Sequence, residues 1–112
     1  MSRGSFAWRT AVLAAVLAAT AFPGAAADTS AGRLKAQACA VCHGALGLST
    51  APDAPNLAGQ PEIYVATQLR AYRSGKREHE VMSVMAKPLS DADIDNLAAW
   101  FASLAIEVKR PP

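Results

Sequence analysis

Residues that usually carry chemistry are scarce in this chain of 112 residues. It has two cysteines, Cys39 and Cys42, two histidines, His43 and His79, and three methionines. A structural zinc site needs four ligands, usually in two clusters, and the only possible ligand outside the 39–43 segment is His79. No repeat and no second cysteine pair are present. Multi-cluster metal sites and disulfide-rich scaffolds are therefore excluded.

The amino terminus has the pattern of an export signal. Arg3 and Arg9 precede an apolar run of eleven residues, Ala11–Ala21, and Ala25–Ala27 offers a cleavage site of small residues. The run is too short for the roughly 20 residues of a membrane-spanning helix, although an uncleaved segment remains an alternative. We predict a signal peptide at residues 1–27, a domain at 28–112 and a periplasmic location.

Charge gives no argument for a polyanionic partner. After removal of residues 1–27, nine Lys and Arg residues balance nine Asp and Glu residues, so the formal net charge is zero. Nucleic acid and anionic membranes attract basic surfaces, and this chain loses its basic excess with the signal. We expect neither nucleic acid binding nor a membrane span in the mature protein.

The segment Cys39-Ala40-Val41-Cys42-His43 has the spacing of a covalent haem attachment site. Cys39 and Cys42 can each form a thioether with the porphyrin, and His43 can then reach the iron. A thioredoxin-like redox pair would need a strand before the motif, and a disulfide across so short a loop would stabilise little. The motif predicts one covalently bound haem per chain.

The remaining pattern is helical. We predict a first helix capped by Thr29 or Ser30 that extends from Ala31 towards Cys39. Its Gly32 indicates either a close crossing by another helix or a frayed first turn. Residues 44–60 form a loop rich in Gly and Pro, whose length suits a segment that wraps a cofactor.

Two further helices are predicted. One begins at Pro61 and ends near Arg73 before Gly75, with an inward face whose residues are Ile63, Ala66, Leu69 and Tyr72. The last begins after a near capping box of Ser90 and Asp93 and carries an apolar stripe from Ile94 to Leu104. The segment between Gly75 and Pro88 has no helix-length amphipathic pattern.

With these pieces in order, the chain resembles the class I c-type cytochromes over nearly all of residues 31–104. It is most similar to one half of the dihaem cytochromes of the c-four subgroup. The resemblance rests on four segments: Cys39–Gly44, Pro55–Gln60, Tyr64 to Gly75, and Met82–Met85 leading into Leu89-Ser90-Asp91.

The resemblance implies an all-α fold of three or four helices around one haem c. It implies that His43 is the proximal iron ligand and that the Pro55 carbonyl accepts the other ring proton. Met82 is implied as the sixth ligand, with Met85 and His79 as the alternatives. Tyr64, Gln68 and Arg70 can reach a haem propionate, although packing or solvent-exposed roles suit them equally.

The predicted function is one-electron transfer in the periplasm between a redox donor and a redox acceptor protein. Iron with both axial positions filled leaves no place for a substrate, so we expect a carrier and not an enzyme. Two alternatives stay open: an electron-transfer subunit docked in a periplasmic oxidoreductase, and a gas-binding haem sensor.

Overall fold

The computed structural model describes residue 1 and residues 24–112, so most of the predicted signal peptide lies outside the described residues. The described chain is helical and contains no strand. It has five α-helices, α1 to α5, and a 3-10 helix after α1; their bounds are Thr29–Lys35 (α1), Ala36–Cys39 (3-10), Ala40–His43 (α2), Glu62–Ser74 (α3), Met82–Ala86 (α4) and Asp91–Ser103 (α5). The all-α fold class is confirmed.

The predicted cap of α1 is wrong, because the helix begins at Thr29, two residues before the predicted start at Ala31. Its N-cap is Asp28, whose carboxylate accepts hydrogen bonds from the amides of Ser30 (2.8 Å) and Ala31 (3.2 Å). A carboxylate at this position also complements the positive end of the helix dipole, which explains the preference over a hydroxyl. The predicted single helix to Cys39 instead tightens into the 3-10 helix after Lys35.

Gly32 is the point at which α1 crosses α5. A Cβ atom built on Gly32 would lie 2.6 Å from the carbonyl carbon of Asn96 and 2.9 Å from the Cβ of Trp100. Only glycine permits this approach of two backbones, so the close-crossing interpretation is confirmed. Asn96 also holds the start of α1, because its Oδ1 accepts a hydrogen bond of 2.7 Å from the amide of Asp28.

Helix α3 has the predicted ends but a different inward face. Pro61 precedes it, and Gly75 ends it in a left-handed conformation (φ 82°). The predicted inward position of Ile63 is wrong, since its side chain is 79% exposed while Val65 is buried. The helix is rotated relative to the prediction, because part of its surface faces a cavity as well as the core. The residues of α3 that line this cavity are Tyr64, Val65, Gln68, Leu69 and Tyr72.

The segment after Gly75 contains a helix that the periodicity does not predict. Helix α4 is only five residues long, too short for an amphipathic repeat to show. The final helix agrees with its prediction, because Ser90 and Asp93 form a complete capping box at the start of α5.

The core lies where α1, α3 and α5 meet. Its buried side chains come mainly from α5, and they are Ala36, Val65, Ala66, Ile94, Leu97, Ala98 and Phe101. Within residues 24–112, no helix is both long enough and apolar enough to cross a membrane. This small core packs on one side of a cavity, which is described next. A group bound in the cavity would add apolar contacts and so enlarge the core.

Candidate haem site

A cavity of about 430 Å³ lies between the cysteine-containing turn and helices α3, α4 and α5. This volume falls within the ~300–1,000 Å³ typical of sites for cofactors and small molecules. Its walls are mostly apolar, and the side chains that bear chemistry are Cys39, Cys42, His43, Met82 and Met85. The fold therefore brings the predicted attachment and ligand residues to one cavity.

Cys39 and Cys42 both line the cavity and are not bonded to each other. Cys39 ends the 3-10 helix, and Cys42 lies in α2, three residues further along the chain. Burial raises the pKa of the Cys39 thiol, because the charged thiolate would lose its hydration there.

His43 is the buried polar residue of the described chain, with 7% of its surface exposed. Its Nδ1 lies 2.8 Å from the carbonyl oxygen of Pro55. A carbonyl can only accept, so Nδ1 carries the proton and Nε2 keeps its lone pair. Within residues 24–112 Nε2 has no hydrogen-bond partner, which is the state that an iron ligand requires.

The loop that carries Pro55 is fixed by backbone hydrogen bonds. The carbonyl oxygen of Gly47 accepts hydrogen bonds from the amides of Leu57 (2.7 Å) and Ala58 (3.0 Å). The amide of Gly59 donates to the carbonyl oxygen of Phe101 at 2.9 Å, which ties the loop to α5. The loop thus holds the Pro55 carbonyl in place with respect to His43.

Two methionines of α4 also line the cavity. Met82 is the first residue of α4 and is half-buried, whereas Met85, one turn later, is 39% exposed. His79, the remaining alternative ligand, does not line the cavity. Its Nδ1 instead accepts hydrogen bonds from the amides of Val81 and Met82.

The basic group on the cavity differs from the one that the sequence suggested. Arg70 lies outside the cavity lining and forms an ion pair of 2.7 Å with Asp95. Arg77 lines the cavity instead, as does Lys35, and the Arg77 guanidinium lies 2.7 Å from Gln68 Oε1 and over the ring of Tyr72. Sequence reasoning missed Arg77; its place two residues after the helix-ending Gly75 was the available signal.

The donor set fits a haem. Neutral imidazole and thioether are established axial ligands of haem iron, and paired thiols are what covalent attachment needs. The apolar walls suit a porphyrin face, while Gln68 and Arg77 supply polar groups on the same cavity. The described residues hold no cluster of three or more His, Cys, Asp or Glu side chains suited to a metal ion bound without a porphyrin.

Comparison with known proteins also indicates a haem protein. The sequence profile of the cytochrome c family matches residues 30–105. Cytochrome c4 of Pseudomonas aeruginosa is 44% identical over 92 residues, which cover 82% of this chain and 46% of that protein. The thiosulfate dehydrogenase electron acceptor of Thiomonas intermedia is 42% identical over 102 residues, which cover 90% of this chain and 47% of that protein.

The fold comparison agrees with the sequence comparison. The crystal structure of reduced recombinant cytochrome c4 from Pseudomonas stutzeri superposes with a TM-score of 0.67 at 39% identity, over 71% of this chain and 47% of that one. The chain thus spans about half the length of these relatives, as the resemblance to one half of a dihaem cytochrome implied. The chain belongs to the cytochrome c family and carries one haem c, bound covalently at the Cys39–His43 motif.

Proposed function

We propose that the protein is a one-electron carrier in which His43 and Met82 are the two axial ligands of the haem iron. The observation that carries the proposal is that His43 and Met82 line one apolar cavity beside two cysteines, and that His43 Nε2 has no hydrogen-bond partner within residues 24–112. The bound haem supplies the ferric–ferrous couple. The protein supplies the ligands, their orientation and the exclusion of water.

The two proposed ligands act on the couple in different directions. The hydrogen bond from His43 Nδ1 to Pro55 makes the imidazole more basic, which stabilises ferric iron. The thioether of Met82 favours ferrous iron and raises the potential. Because both positions are filled by protein, no site for a substrate remains, and the protein transfers electrons without catalysing a reaction.

The proposed setting is the periplasm, with one redox protein as donor and another as acceptor. The predicted signal at residues 1–27 supports export. A relative named as the electron acceptor of thiosulfate dehydrogenase supports an enzyme of inorganic sulfur oxidation as one class of donor.

A second candidate is an electron-transfer subunit that stays docked on an oxidoreductase. Exposed apolar side chains around the cavity favour it, since Val41 is 83% exposed and Val81 is 47% exposed. Gel filtration of a native periplasmic extract separates the two, because a free carrier elutes near its own mass and a docked subunit elutes with its enzyme.

The experiment that tests the carrier proposal is a redox titration of the purified holoprotein followed by visible spectroscopy. The proposal predicts a single reversible one-electron step and no spectral change when carbon monoxide is added to the reduced protein at neutral pH. Rapid carbon monoxide binding would contradict it and would support a haem with a free or labile sixth position, as in a gas sensor.

A further inference from the structure

Four hydrogen bonds converge on His79, three residues before Met82. The His79 amide donates to Ser83 Oγ at 3.0 Å, and the His79 carbonyl oxygen accepts from the Ser83 amide at 2.9 Å. The side chain adds two more, because its Nδ1 accepts from the amides of Val81 and Met82, each at 3.2 Å. The backbone around Met82 is therefore held by hydrogen bonds to a single residue, His79.

Helix α4 needs hydrogen-bond acceptors from outside the helix. A helix of five residues has little stability of its own, and the first amides of any helix lack partners within it. The residue at its N-cap, Val81, has no side-chain acceptor to offer. The imidazole of His79 fills that role from outside the helix.

The same arrangement occurs at the start of α1. There Asp28 accepts from the amides two and three residues further along, which is the spacing that His79 uses with Val81 and Met82. Since amides only donate, Nδ1 of His79 must be the unprotonated nitrogen and Nε2 carries the hydrogen. Because His79 does not line the cavity, it acts on the site only through α4.

We propose that His79 is a positioning residue for Met82. His79 Nδ1 accepts a hydrogen bond from the Met82 amide. This bond would hold the first residue of α4 in an orientation that lets the Met82 thioether bind the iron. The proposal rests on the proposed ligation by Met82. Loss of the imidazole would let the 79–83 turn open more often, and an external ligand could then take the sixth position.

The test is a titration of the ferric holoprotein with imidazole. The second measurement is the intensity of the weak far-red absorption band that ferric haem shows when it carries a thioether ligand. His79→Ala removes the acceptor. His79→Asn keeps an oxygen acceptor in the geometry that Asp28 shows is feasible. Glu78→Ala is the matched control, since Glu78 is exposed and has no hydrogen bond or ion pair within residues 24–112.

His79→Ala should tighten imidazole binding about fivefold, which is about 1 kcal/mol at 1.4 kcal/mol per tenfold and matches the usual cost of a lost cap. The far-red band should weaken in parallel. His79→Asn should restore most of the wild-type affinity, and Glu78→Ala should leave it unchanged. Should His79→Ala fail to accumulate as holoprotein, Ser83→Ala tests the same tie and should shift the affinity in the same direction by a smaller factor.

Equal imidazole affinity in wild type, His79→Ala and Ser83→Ala would overturn the proposal. So would a lower denaturation midpoint in His79→Ala without any change in imidazole affinity, because a merely structural cap would do that. Failure of the ligation itself is seen separately: wild type and Met82→Ala would then share the same far-red spectrum, whatever His79 does.

Discussion

The Nδ1–H of His43 donates a hydrogen bond of 2.8 Å to the carbonyl oxygen of Pro55, twelve residues further along the chain. This bond selects the tautomer that leaves Nε2 free for iron. It also sets the basicity of the imidazole, which is one of the few means by which a protein tunes haem potential.

Replacement of Pro55 by Ala should raise the reduction potential. The carbonyl remains, but the loop loses the restriction that proline places on it, so the hydrogen bond weakens and ferric iron is less stabilised. Spectroelectrochemical titration measures the potential. Pro52→Ala is the control because Pro52 is exposed in the same loop, and equal potentials in the two variants would contradict this account.

Gly32→Ala should destabilise the fold by about 1–3 kcal/mol, the usual cost of overpacking. Alanine is the better helix former, yet its Cβ would lie 2.6 Å from the Asn96 carbonyl carbon and would push α1 from α5. Denaturant unfolding of the ferric holoprotein measures the loss. Ser30→Ala, at an exposed position of the same helix, should change stability little; equal stability of the two variants would show that α1 and α5 do not meet at Gly32.

Asp93 should make stability depend on pH in the acid range. The hydrogen bond from the Ser90 amide, and then the Lys35 ammonium at 3.2 Å, hold the pKa of this carboxyl below its ordinary value. A lowered pKa in the folded state means that the stabilisation is complete above the unfolded value of about 3.9 and is lost as pH falls through the folded value.

The matched variant is Asp93→Asn, which keeps an acceptor but no charge. Wild type should be more stable by about 0.5–1 kcal/mol between pH 5 and 7, the range expected for a charge at a helix start with a surface ion pair. The difference should shrink below about pH 4, as measured by denaturant unfolding at each pH. A difference that stays constant through this range would rule out the charge as its source.

The haem attachment motif and its proximal side could be predicted from sequence because they are local. Cys39, Cys42 and His43 are contiguous, and Pro55 lies in a loop whose composition stands out. Likewise, the capping box at Ser90 and the apolar stripe of α5 are short-range patterns, and the structure has both.

Features that depend on tertiary contacts were harder to predict from the sequence. The rotation of α3 that buries Val65 and exposes Ile63 arises because this helix faces both the core and the cavity. Helix α4 is too short to show an amphipathic repeat, and it is stabilised by hydrogen bonds from neighbours such as His79. Arg77 reaches the cavity by folding back over Tyr72, which no spacing rule encodes.

The proposed ligation of the haem iron by Met82 is tested by comparing Met82→Ala with Met85→Ala. Both methionines line the cavity one helical turn apart, so each is the other's control. The measurement is the far-red absorption band of ferric haem with a thioether ligand in the two purified holoproteins. With Met82 as the axial ligand, Met82→Ala should lose the band and bind carbon monoxide when reduced, while Met85→Ala should keep the band. A Met82→Ala protein that retains it, or a Met85→Ala protein that loses it, would contradict the account.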